Sequence, residues 1–147
     1  MVVFSDEGVI PLTSEKLWEF LDLHLKDEVV PSIHSDILTQ RTLSRDGNVQ
    51  VVERGIRFFG KSRRSVWKLT YEPPTRTRWE ILEGDGPMAT GSFLDNVYSD
   101  VSGGILIKSQ GDIRVTRFPG FLQTRIVRSA LNHINDQDIE YLRTHSR

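Results

Sequence analysis

With 147 residues, 37% of them hydrophobic, and a net charge of −1, the chain is long enough for one domain with its own core and too balanced for a disordered or nucleic-acid-coating composition. Cysteine is absent, which excludes disulfides, thiolate metal sites and cysteine nucleophiles and favours a cytoplasmic setting. The opening MVVFSDEGVI lacks a basic-then-apolar export signal, and no stretch approaches the ~20 apolar residues that span a bilayer. One cytoplasmic domain over residues 1–147, with no membrane span, is the expectation.

Residues 2–10 alternate as a strand. Thr13 or Ser14 then caps a short helix carrying Glu15, Leu17, Trp18 and Leu21. A second short helix is expected to end before Pro31, since proline disfavours helical geometry in its predecessor. From Ile37 the pattern turns to strands at 37–44, 49–59, 62–71, 77–83, 91–99 and 104–115. Turn signals stand between them at Asp46-Gly47, Gly60-Lys61, Pro73-Pro74 and Ser102-Gly103-Gly104. After Pro119, a suitable first helical residue, the period is helical to the end.

Cross-strand pairing tests these turns against one another. Folding at Gly60-Lys61 sets Ile56 opposite Ser65, Arg54 opposite Trp67, Val52 opposite Leu69 and Gln50 opposite Tyr71. Folding at the double proline sets Tyr71 opposite Thr77, Leu69 opposite Trp79 and Trp67 opposite Ile81, on the same face. Both hairpins thus put the large rings on one side, which becomes the inside of the sheet. The other side pairs Lys68 with Glu80 and sets Arg57 opposite Arg64, a like-charge pair that calls for a covering acid. In the strand at 91–99, Asn96 and Tyr98 are read as inward, matching Ile105 and Ile107.

At 100° per residue, Leu122, Ile126, Val127, Ala130, Leu131, Ile134 and Tyr141 share one half of the last helix. Gln123 and Gln137 interrupt that half and His133 stands at its margin. Arg54 and Gln50 pose the same question on the sheet, because a buried polar group needs partners.

This order of elements, with TSEKLWEFL after the first strand, VVPSIHSDI before the second, RDGNVQVVERGIRFFGKSRRSVWKLTYEPPTRTRWEILEG through the hairpins and GGILIKSQGDI before the last helix, resembles the START-like superfamily. That superfamily is also called SRPBCC, or the polyketide cyclase/dehydrase and lipid-transport, birch-pollen-allergen-like fold. The resemblance covers nearly the whole chain. It implies an α+β helix-grip fold, with about seven antiparallel strands curved around a long C-terminal helix and two short helices after strand one. It also implies a cavity between sheet and helix that takes lipids, sterols, polyketides or hormones. It carries no universal catalytic motif, so no catalytic residue is assigned.

The residues expected to line the cavity are Val52, Arg54, Ile56, Trp67, Leu69, Tyr71, Trp79, Ile81, Asn96, Tyr98, Gln123, Ile126, Ala130, His133 and Gln137. Arg54, Gln123 and Gln137 would anchor the polar end of an apolar or amphipathic small molecule. A binding protein is the first reading and a cyclase or dehydratase using the same cavity the alternative, with Tyr71, Arg54 or His133 assisting proton transfer. A second alternative is a docking module. Residues 41–78 hold ten bases against three acids, and Arg57, Arg64, Lys68 and Arg78 on the convex face would meet an acidic protein or RNA.

His24, His34, His133 and His145 show no metal-binding spacing, and no HExxH pair is present. Asp136, Asp138 and Glu140 read as an exposed acidic end. The glycines at Gly84-Asp85-Gly86 and Gly103-Gly104 lack the lysine of a phosphate loop and read as turns. No GxSxG elbow appears. No metal or other cofactor is expected.

Overall fold

The computed structural model describes residues 2–58, 60–84, 88–115 and 118–145. Strand β1 (Val2–Ile10) leads into helices α1 (Ser14–Leu23) and α2 (Val30–Ile33). Six more strands follow: β2 (Ile37–Asp46), β3 (Val49–Phe58), β4 (Lys61–Glu72), β5 (Arg76–Gly84), β6 (Phe93–Val101) and β7 (Gly104–Ile113). Helix α3 (Gly120–His145) closes the chain. The seven strands form one antiparallel sheet in the order β1-β7-β6-β5-β4-β3-β2. Every neighbouring pair after β2 is a hairpin, which is the architecture that regular turn signals specify. Only β1 is placed by a long excursion, through α1 and α2, which carries the chain from one sheet edge to the other.

Thr13 caps α1, its hydroxyl accepting from the Lys16 amide at 3.3 Å. Pro31 behaves differently from the expectation. It lies in the first turn of α2 rather than beyond its end, where the missing amide proton costs nothing and the fixed φ suits a helix. Gly47 (φ 58°) and Gly103 (φ 89°) serve the β2–β3 and β6–β7 turns in left-handed geometry that disfavours a side chain. Asp85 and Gly86 of the expected turn after β5 lie outside the described residues, as does Phe59.

The β4–β5 register is the expected one: Tyr71 faces Thr77, Leu69 faces Trp79, Trp67 faces Ile81 and Lys68 faces Glu80. The β3–β4 register is shifted by two residues, so that Val52 faces Trp67, Arg54 faces Ser65 and Gln50 faces Leu69. A shift of two leaves each side chain on its expected face, because the strand period is two. It also removes the like-charge pair: Arg57 stands opposite Ser62 and Arg64 opposite Gly55.

The core has three centres. Val52, Trp67, Leu69 and Ile81 bury beneath the middle strands. Leu94, Ile113 and Val115 pack with Val127 and Leu131 of α3. Leu17 of α1 packs with Tyr98 and Ile105. On the convex face Arg64 pairs with Glu53 (2.7 Å) and Glu83 (3.2 Å), while Arg78 pairs with Asp95 (2.6 Å) and Glu80 (3.3 Å). The Arg78 guanidinium also lies 4.2 Å from the Phe93 ring centroid. Two of the four basic residues read as a docking patch are thus engaged within the sheet, and Lys68 stands opposite an acid. Arg64 and Arg78 thus find their acidic partners within the convex face, which leaves docking of a protein or RNA there without support from the fold.

Candidate functional site

The concave side of the middle strands is packed. Trp67 and Trp79 are 5.0 Å apart between ring centroids, and the Arg54 guanidinium lies 4.7 Å above the Trp67 ring. Arg54 is buried, and its Nε donates to Gln40 Oε1 at 2.8 Å. Burial pulls its guanidinium down to about 10, against the raising influence of Tyr71 and Asp27, so it stays a cation at neutral pH. Val52, Leu69 and Ile81 are buried in the same cluster, with Ile56 packed against it. These expected lining residues meet one another.

Asn96 and Tyr98 face inward as expected, Tyr98 buried and Asn96 half-buried, while Val97 between them is exposed. Their polar atoms are already joined. Ser109 donates to Asn96 Oδ1 at 2.5 Å, Asn96 donates to Thr77 Oγ1 at 3.3 Å, and Thr77 shares a hydrogen bond of 2.8 Å with the Tyr98 hydroxyl. Burial pushes the Tyr98 phenol up to about 12 and holds that of Tyr71 higher still. Both remain neutral hydrogen-bonding groups across the physiological range.

Along α3, Val127 is buried and Ile126 half-buried. Gln123, half-buried, donates to the Phe118 carbonyl at 3.2 Å. Ala130 is exposed, although the helical angle places it between the half-buried Gln123 and Gln137. Solvent therefore reaches the middle of this arc. His133 is exposed and pairs with Asp36 at 3.1 Å, away from any interior proton path.

A recess opens between α1 and the ends of β2–β3 and β4–β5. A groove of about 430 Å³ is lined there by Trp18, Leu25, Gln50, Tyr71 and Pro73, with Glu15, Glu19, Asp22 and Arg45 around it. Trp18 is fixed by donation from Nε1 to the Pro74 carbonyl at 3.3 Å and by edge contacts to Tyr71 and Tyr98. The buried Gln50 gives both amide protons away, to the Leu25 carbonyl at 3.0 Å and to Thr42 Oγ1 at 2.7 Å. Its Oε1 is buried without a hydrogen-bond partner, a state that costs about 1–3 kcal/mol unless something donates to it. A larger hollow of about 750 Å³ runs along α3 past Phe121, Arg128 and Asn132. All its walls come from that one helix, so no second surface closes over it.

A second polar assembly joins α1, α2 and α3. His24 caps the C-terminus of α1, His34 caps that of α2, and Asp138 comes from the late turns of α3. His24 Nε2 and His34 Nε2 are 3.3 Å apart. Asp138 Oδ1 lies 3.3 Å from the first and 3.0 Å from the second. Asp138 is therefore turned inward, with 27% of its side chain exposed, not part of an open acidic end. Burial raises its carboxyl, and the two imidazoles outweigh this and hold it below the ordinary carboxylate range. Gln137 joins the group, its Oε1 3.0 Å from His34 Nδ1 and its Nε2 donating to Ser35 Oγ at 2.9 Å. Sequence spacing hides this cluster, since its members are 10 and 114 residues apart. The signal that finds it is angular: Asp138 lies about 20° from both Val127 and Leu131 on the helix, squarely on the buried stripe.

Comparison with solved structures decides the architecture. Ara h 8.0201 superposes with a TM-score of 0.74 at 16% identity, covering 96% of this chain and 97% of that one. A START superfamily protein from Mycobacterium smegmatis gives 0.70 at 15% identity, over 92% of each chain. The fold is START-like. The di-domain ARO/CYC StfQ from the steffimycin biosynthetic pathway shares it, with a TM-score of 0.74 at 11% identity over 95% of this chain and 48% of StfQ. No family model and no curated protein matches the chain. Within the START-like frame, the groove opens at the end of the sheet beside α1, and the His-His-Asp cluster lies where the three helices meet. Among the described residues no helix is long and apolar enough to cross a membrane.

Proposed function

We propose that the chain binds an amphipathic small molecule in the groove between α1 and the β2–β5 end of the sheet. The observation that carries this reading is a 430 Å³ groove lined by Trp18, Leu25, Tyr71 and Gln50, with Gln50 Oε1 buried behind it and without a partner. Trp18, Leu25 and Tyr71 offer apolar surface for the body of such a ligand, and Gln50 accepts from its hydroxyl or amine. Few precisely placed polar groups on an apolar wall are what small-molecule sites require. The shared fold with StfQ makes a cyclase the second reading. It is the weaker, because among the described residues that line the groove none is hydrogen-bonded to another as an acid and base pair.

The experiment is native mass spectrometry of the purified chain, followed by titration with an anilinonaphthalene sulfonate dye and its displacement by hydroxylated aromatics. Gln50→Leu and Trp18→Ala should each weaken displacing ligands about tenfold, the effect of losing one desolvated contact. Equal affinity in wild type and both variants, with folding confirmed by circular dichroism, would refute the placement.

A further inference from the structure

The geometry points to a divalent transition-metal site formed by His24 Nε2, His34 Nε2 and Asp138 Oδ1. It is independent of the ligand reading above and rests on the convergence of three donor atoms from three helices. The other ring nitrogen of His24, Nδ1, lies 3.2 Å from the Phe20 carbonyl, which can only accept. His24 Nδ1 therefore carries the proton. His34 Nδ1 faces Gln137 Oε1, and with the amide nitrogen donating to Ser35 Oγ this orientation places the His34 proton on Nδ1. In neutral imidazoles both Nε2 atoms are then bare lone pairs. In that arrangement they point at each other and at a carboxylate oxygen, three donor atoms within 3.3 Å of one another.

Three electron-rich atoms at 3.0–3.3 Å repel unless a cation lies among them. A metal ion ~2.0–2.1 Å from each donor separates them by roughly 3.0 Å at right angles and roughly 3.4 Å in a tetrahedron, the range seen here.

The surroundings fit the ion as well. Each imidazole is oriented by an Nδ1–H bond to a carbonyl oxygen, the arrangement that fixes the tautomer of ligating histidines. The C-terminus of α1, where His24 sits, bears partial negative charge and has no basic residue in its last turn. Two imidazoles and one carboxylate suit zinc, cobalt(II) or iron(II) better than calcium or magnesium, which prefer all-oxygen shells. Three protein ligands leave at least one position for water or a ligand atom, as in open rather than purely structural sites.

The test uses the full chain, stripped with chelator and titrated with Zn²⁺ and, separately, Co²⁺. One equivalent of either ion should bind and raise the thermal midpoint, and Co²⁺ should give visible absorption bands of a nitrogen- and oxygen-ligated ion. Asp138→Asn and His24→Gln should each weaken binding at least about tenfold, and Gln137→Leu by about 10–100-fold through loss of His34 orientation. His133→Gln, at the exposed pair with Asp36, should leave binding unchanged. A folded wild type that takes up neither ion overturns the assignment, and so does Zn²⁺ affinity that is equal in wild type, Asp138→Asn and His24→Gln. The Co²⁺ spectrum of the wild type decides the matter even where a variant fails to fold.

Discussion

The two halves of α3 meet the rest of the molecule by different physics. In the first half, Val127 and Leu131 bury against Leu94, Ile113 and Val115 of the sheet side. In the second, His133, Gln137 and Asp138 meet Asp36, Ser35, His34 and His24 through hydrogen bonds and charge. Yet Leu131 and Asp138 lie on one line of the helix. The same stripe that fastens the helix to the sheet therefore continues as a row of polar groups facing the α1–α2 segment. One half supplies adhesion, which tolerates any conditions that keep water out. The other supplies chemistry, which depends on protons and ions.

The contrast is sharpest in the cost of substitution. Leu131→Ala should destabilise the protein by about 3 kcal/mol in urea titration, through lost transfer energy and the cavity left behind. That cost should be flat between pH 4 and 8, because no titrating group is involved. The polar side should behave otherwise. Asp27, in the α1–α2 linker, accepts from the Thr42 amide and hydroxyl at 2.7 Å each and from Gln40 at 3.2 Å. Although burial raises its carboxyl, the Thr42 and Gln40 hydrogen bonds bring it below its ordinary value of 3.8. A carboxyl held low in the folded state stabilises above its unfolded value and ceases to as pH falls through its folded value. Asp27→Asn should thus cost about 1–2 kcal/mol at pH 7 and progressively less as the pH falls below 4. A pH-independent cost would erase the distinction between the two regions. The smallest effect belongs between them: Ala130→Trp, at an exposed position, should change stability by no more than about 0.5 kcal/mol. A larger loss would mean that the middle of the helix closes on the sheet after all.

Much of this architecture is readable from residue order, and the failures have definite causes. The alternation of Trp67, Leu69 and Tyr71 against Trp79 and Ile81 placed the β4–β5 hairpin in its true register, since the double proline allows only one turn. The β3–β4 turn has no such pin, and the expected register slipped by two while keeping the faces right. Pro31 reads as a stop by the restriction that proline puts on its predecessor, yet helices also begin at proline, as α2 does. Arg54, Gln123 and Gln137 read as inward polar residues; Gln40, which satisfies Arg54, stands directly opposite it on β2, while the Phe118 carbonyl and His34 come from a loop and a helix end with no periodicity. The groove escaped for the same reason. Trp18 and Leu25 meet Gln50 and Tyr71 only after β1 and the helices have crossed the sheet.

The placement of Trp18 has an optical consequence. The chain has three tryptophans. Trp67 and Trp79 form a close pair, with the Arg54 cation over Trp67. Only Trp18 stands in the wall of the groove, in edge contact with Tyr71 and Tyr98. Its emission is therefore a built-in reporter: a molecule entering the groove displaces water from one indole and leaves the environment of the other two unchanged. Occupancy can be followed in the unlabelled protein, against a Trp18→Phe chain whose remaining fluorescence should be blind to it.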